Sequence, residues 1–187
     1  MKRTRLLESV AFHEAGHAVV AWTAGVRLRE LSMVDAFRNR GRAPPPPYFR
    51  RTIHPPETWE PVPRKRLENM ALVCLAGPAA QMRSFPTHYR RTYALADVRQ
   101  ASGLLEYLAP EPRELAAYVG LMEVRARNAL SAPGVWHAVE EVAGALVRRV
   151  TLRVSDIRAI IDESGSCGTE QGCLTRHALT ADGPTAA

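Results

Sequence analysis

The stretch VAFHEAGHAVV, Val10–Val20, decides how the rest of the chain is read. His13 and His17 are four residues apart, with Glu14 directly after the first. On an α-helix, positions four apart stack on one face, so both imidazoles can aim a ring nitrogen at a single ion. Glu14 is adjacent to that face, poorly placed as a ligand but within reach of a water held there, where it can act as base. Leu6 and Val10 fall on the line that His13 and His17 continue, which turns both rings inward. Two buried histidines without a polar partner carry a desolvation cost, and a shared cation removes it. The motif therefore points to a metal-binding helix, with zinc as the expected ion.

A hydrolytic zinc site takes three protein ligands from His, Asp or Glu and keeps a water at the fourth position, so a third ligand has to come from elsewhere. His54, His88, His137 and His177 fall in loops, in a distal helix or in the tail. Asp97 leads the apolar face of a helix expected over about residues 94–108, four residues before Ala101 and seven before Leu104. A carboxylate turned inward at that point calls for a cation. An Asp near a helix start also serves as a cap or answers the helix dipole. Spacing alone leaves Asp97 level with Glu68 and Glu106.

Outward from the motif, the first helix is expected over about residues 5–24, with Gly25 placed as the left-handed residue that ends it. Val26–Val34 has apolar residues at 26, 28, 31 and 33, with a slip at Arg29-Glu30, and reads as a short bulged strand or two strands. Residues 35–63 hold 8 of the 14 prolines, which excludes helix and central strand and makes this a long surface loop. Helical period resumes at Arg64, with Leu67, Met70, Ala71, Cys74 and Leu75 inward; Gly77-Pro78 is expected to kink or break it. Pro112 opens a helix through about Leu130, Pro133-Gly134 reads as a turn, VWHAVEEVAGALVRRV as a helix, and Ser155 as the cap of SDIRAIIDE. From about Ser164 the chain is small, polar and aperiodic, a disordered tail by composition. The fold class is mainly α, α+β at most: one domain over residues 1–163 and a tail over 164–187.

Composition agrees with one globular domain, at 46% hydrophobic and 24% charged residues in 187. The formal charge of +6 comes with scattered arginines and no nucleic-acid-binding motif, so it reads first as a solvated surface, with nucleic-acid association the weaker alternative. Three cysteines at irregular spacing form no disulfide framework and suit a reducing compartment, the cytoplasm. The longest uncharged stretch, Asn69–Met82, contains Gly77-Pro78 and falls short of the roughly 20 residues of a membrane helix. The basic start followed by apolar residues has a signal-peptide look, but Glu8, His13, Glu14 and His17 interrupt it.

These residues together resemble a known family. AFHEAGHAVVAW is similar to the zinc-binding helix of the FtsH-type ATP-dependent metallopeptidases. LENMALVCLAGPAAQM resembles that family's helix with a Leu-x-Gly-Gly-Arg-Ala-Ala-Glu-like segment, here Leu75 to Gln81. TYALADVRQA is similar to its Ser-Asn-Asp-Leu-x-x-Ala element, whose Asp is the third zinc ligand and matches Asp97. VEEVAGALVRRVTLRVSDIRAII looks like the closing helices of the peptidase domain. The resemblance covers about residues 5–163 and implies a zincin-like helical fold, with Zn²⁺ on His13, His17 and Asp97 and Glu14 as catalytic base. The departures are as informative. No Gly-x-x-x-x-Gly-Lys-Ser/Thr phosphate loop occurs in these residues, Gly77-Pro78 replaces a Gly-Gly pair, and a proline-rich loop replaces the substrate-edge region. The expectation is a stand-alone zinc metalloendopeptidase acting on flexible or unfolded polypeptides, with delivery by a partner or a separate ATPase. The alternative is a metal-binding regulatory or interaction module with little or no catalysis.

Overall fold

A computed structural model describes residues 2–28, 30–33, 63–87, 89 and 91–165. The expected proline-rich loop, apart from Pro63, and nearly all of the expected tail lie outside the described residues.

The chain is mainly helical. Six helices carry the described residues: α1 (Lys2–Thr23), α2 (Arg64–Ser84), α3 (Arg91–Leu105), α4 (Pro112–Ser131), α5 (Pro133–Arg149) and α6 (Val154–Glu163). The described β structure is one antiparallel ribbon of β1 (Leu31–Ser32) and β2 (Thr151–Leu152), in the register Leu31 with Leu152 and Ser32 with Thr151. Among the described residues, the strand expected over 26–34 thus shrinks to two. The inward set survives the shrinkage, since Leu28, Leu31 and Met33 are all buried.

The first helix ends as its sequence requires. Gly25 takes φ +68, Val26 N–H donates to Ala21 O at 2.8 Å and Gly25 N–H to Trp22 O at 3.3 Å. This paired return of amides onto the last turn is the Schellman arrangement, and a side chain at that φ would be strained. Four expectations about element ends need correcting. Gly77-Pro78 does not break α2, which runs through Pro78 to Ser84. Pro133 does not make a turn but stands at the start of α5, where its missing N–H costs nothing. Helix α3 begins and ends three residues earlier than expected, over 91–105. Ser155 is not the cap of α6; Arg153 is, and its N–H donates to Asp156 Oδ2 at 3.3 Å.

Helix α1 packs against α2 and α5, and α2 carries α3 and α4 on its other sides. The core lies along α1 and α2, through Ala11, Ala15, Ala18 and Val19 against Ala71, Cys74, Leu75 and Ala80, and continues to Leu104, Met122, Val142 and Leu146. Small residues dominate the α1–α2 seam. A Cβ built on Gly16 would sit 2.6 Å from Ala80 Cβ and 2.7 Å from Ala76 O, so the two backbones approach as closely as glycine allows. Beside the seam, Phe12 meets Phe85 edge-on at 5.7 Å and Trp136 at 5.9 Å, while the Arg83 guanidinium covers Trp136 at 3.8 Å. No described helix is long and apolar enough to cross a membrane.

Candidate metal centre

His13 and His17 stand one turn apart on the face of α1 that meets α2; the expected inward line fails at Leu6, which is 44% exposed, and turns inward only from the half-buried Val10 onward. His17 is 1% exposed and His13 is partly buried. From α3, Asp97 enters the same space at 2% exposure. Its Oδ2 lies 3.2 Å from His13 Nε2 and its Oδ1 lies 3.6 Å from His17 Nε2; the two Nε2 atoms are 3.1 Å apart. His13, His17 and Asp97 are the one group of His, Cys, Asp or Glu side chains among the described residues whose donor atoms converge as a metal site requires.

The hydrogen bonds on the far side of each ring set what the Nε2 atoms can do. His17 Nδ1 is 2.7 Å from Val73 O, and a carbonyl only accepts, so Nδ1 carries the proton. His13 Nδ1 is 3.3 Å from Gln81 Oε1, while the Gln81 amide nitrogen donates to Ser9 Oγ at 2.9 Å. Both rings, when neutral, therefore present an Nε2 lone pair to the same point. Two lone pairs at 3.1 Å repel unless a cation stands with them. Asp97 Oδ2 adds a second sign of the same demand: it is buried and accepts no hydrogen bond among the described residues. Ligand atoms about 2.0–2.1 Å from one ion at tetrahedral angles would be about 3.4 Å apart. The two Nε2 atoms, 3.1 Å apart, are close to that spacing, and each has an Asp97 oxygen at a similar distance, Oδ2 at 3.2 Å from His13 and Oδ1 at 3.6 Å from His17, so the donor set fits a metal.

The two histidines differ in proton affinity. Burial lowers His17 to about 4, a fall that Asp97 only partly opposes. Burial also works against protonation of His13, but the Asp97 carboxylate, with Glu14 and Gln81 adding to it, raises that group above 6.5. Glu14, partly buried on the turn between the two rings, is thus close enough for its charge to act on His13. Cys74, buried on α2, has its thiol pushed well up by desolvation and by the Asp97 charge, so it stays an unreactive thiol.

Helix α2 makes room for all of this at one residue. A Cβ on Gly77 would lie 2.2 Å from His17 Nε2. The next residue, Pro78, lacks the N–H that would bond Cys74 O, one residue beyond the carbonyl that His17 uses.

The other candidate ligands go elsewhere. Glu68 is engaged by Arg64 at 3.3 Å, by Arg125 at 3.6 Å and by the Tyr118 hydroxyl. Glu106 is exposed just beyond the end of α3, and His137 is exposed on α5. His54, His88 and His177 lie outside the described residues. Sequence reading missed Gln81, Ser9 and the Val73 carbonyl. The signal for Gln81 was present: it falls two turns after Cys74, on the apolar stripe of α2, where an amide needs a partner.

No protein-family model matches this chain, and no curated protein matches it. What fold and site define is a mainly helical protein with a buried His–His–Asp group able to hold a metal ion.

Proposed function

We propose that the chain is a zinc-dependent metallopeptidase of the zincin type, related to the peptidase domain of the FtsH-type enzymes. The observation that carries the reading is the convergence of His13, His17 and Asp97 with Glu14 on the turn between the two histidines. His13 Nε2, His17 Nε2 and an Asp97 oxygen would hold the ion. When bound there, zinc supplies a Lewis acid that polarises a peptide carbonyl and makes a water acidic enough to attack near neutral pH. Glu14 takes the proton of the attacking water and returns it to the leaving amine, a role open to a carboxylate beside the ligand face. Val73 and Gln81 hold the two imidazoles in the tautomer that leaves Nε2 unprotonated. No phosphate loop occurs in these residues, so the substrates are flexible or unfolded polypeptides, free or delivered by a partner or a separate ATPase. A reducing, cytoplasmic setting suits the free Cys74.

The test is Glu14→Gln. Zinc content is expected to equal that of wild type, and cleavage of an unfolded casein-type substrate to fall at least 100-fold, the scale of a lost general base. Cleavage retained by this variant overturns the mechanism. A zinc-loaded wild type that cleaves nothing moves the reading to the metal-binding module.

A further inference from the structure

Gln81 has no place in the ligand set, yet it is 3% exposed and sits in an otherwise apolar stripe of α2. An amide buried there is costly unless both of its ends are bonded. Both are. Ser9, 1% exposed and one turn before His13 on α1, takes the amide nitrogen, and His13 Nδ1 meets the amide oxygen. The partner of the other ring is a backbone carbonyl. Among the described residues, the hydrogen-bond partners of the two Nδ1 atoms are thus an uncharged amide and an uncharged carbonyl, and Asp97 is the anionic member of the ligand group. A carboxylate behind a ligating histidine makes the ring a stronger donor to the metal; an amide fixes its orientation without adding charge.

We infer that Gln81, held by Ser9, is the positioning residue that sets the His13 tautomer, and that its neutrality keeps the metal less tightly bound than the ligand set permits. This rests on the metal reading of the site.

The same network could accept a carboxylate without loss. The Ser9 hydroxyl can rotate from acceptor to donor, and His13 Nδ1–H would donate to the other oxygen. Gln81→Glu therefore keeps shape and satisfies every partner, and changes only charge. A leucine at this position would keep approximate volume and leave both Ser9 and the His13 N–H without a partner.

The experiment is competition for Zn²⁺ between the purified chain and a chromophoric chelator at neutral pH, for wild type, Gln81→Glu, Gln81→Leu and Ser9→Ala. Long-range ¹H–¹⁵N spectra of the imidazoles are recorded alongside. Gln81→Glu is expected to bind zinc about tenfold or more tighter, and Gln81→Leu roughly 10–100-fold more weakly. Ser9→Ala, which frees the amide to turn, is expected to weaken binding and to reduce the Nδ1–H form of His13 in the metal-free protein. A Gln81→Glu protein whose zinc affinity stays within about twofold of wild type, or falls, overturns the inference, because a merely structural glutamine predicts no tightening. If Gln81→Leu fails to fold, Gln81→Glu still decides. A wild type without zinc affinity overturns this inference and the metal reading together. Wild-type zinc binding without Glu14-dependent cleavage sinks the peptidase reading alone.

Discussion

At the scale of the residue, two histidines one turn apart have been given opposite proton affinities by their surroundings. His17, buried, stays neutral down to about 4; His13, beside Asp97, keeps its proton above 6.5. In the metal-free protein the Asp97 carboxylate thus favours a proton on His13 over one on His17. Below 6.5 the unfolded chain binds a proton that folded His17 refuses, so its contribution to stability is lost as pH falls from 6.5 towards about 4. The contribution of His13 has the reverse sign, present below 6.5 and lost as pH rises through its raised pKa. An imidazole NMR titration of the metal-free protein is expected to show His13 protonating first on acidification. In Asp97→Asn the His13 pKa is expected to drop below 6.5, because the carboxylate that raised it is gone. The same variant should lose zinc affinity by more than the roughly 10–100-fold that outer partners command, read by chelator competition. His13, Glu14 and His17 were legible from spacing alone. Asp97 was only half legible: its inward face was plain, but the expected helix start placed it where a cap could stand. With α3 beginning at Arg91, Asp97 lies in the second turn, too deep to cap, and the competing carboxylate Glu68 proves to be held by arginines.

At the scale of the element, the site is made by how closely α2 can run past α1. Gly16 and Gly77 serve different ends of that contact, and their alanine variants should separate the two. Gly16→Ala drives a methyl group into Ala80 and the Ala76 carbonyl, an overpacking that typically costs about 1–3 kcal/mol, measurable by urea unfolding. Gly77→Ala places its methyl against His17 Nε2 and is expected to abolish zinc binding by chelator competition. Elements with long apolar periods were legible: α1, α4 and the inward stripe of α2 follow the pattern in their sequences. Prolines misled where tertiary packing or position overrode the local rule, at Pro78 inside α2 and Pro133 at the head of α5. Half of the ribbon was legible, since β1 falls inside the expected strand region, but Thr151-Leu152 was not, because two residues just after a helix carry no period. That junction carries local strain. Val150 closes α5 at φ 66, a conformation that a β-branched residue occupies at a cost of about 1–3 kcal/mol. Its N–H bonds Leu146 O and its O accepts from Met33 N–H, so the ribbon and the helix end hold it there. Val150→Gly relieves the strain and gives back about 0.5–1 kcal/mol in chain entropy. The expected net effect is a gain of about 1 kcal/mol in urea unfolding, with zinc affinity unchanged.

At the scale of the whole molecule, the ligands come from two helices that are far apart in sequence and meet through a third. His13 and His17 belong to α1, Asp97 to α3, and α2 lies against both while supplying the carbonyl and the amide that orient the rings. An ion shared across that junction ties α1 to α3 in the folded state, and the unfolded chain offers it no comparable site. Zinc should therefore act as a folding ligand. At a free concentration about 100 times its dissociation constant, it stabilises the native state by about 2.7 kcal/mol. For a chain of this size each kcal/mol moves the unfolding midpoint by about 2–4 °C, so saturating zinc should raise it by roughly 5–10 °C over a chelator-treated sample. Glu14→Gln should show the same rise, since Glu14 stands outside the ligand set; Asp97→Asn should show almost none. A scanning-calorimetry series over the three proteins, with and without zinc, checks this directly. An equal rise in all three would mean that the ion binds elsewhere, and the His13–His17–Asp97 group would lose its claim to the metal.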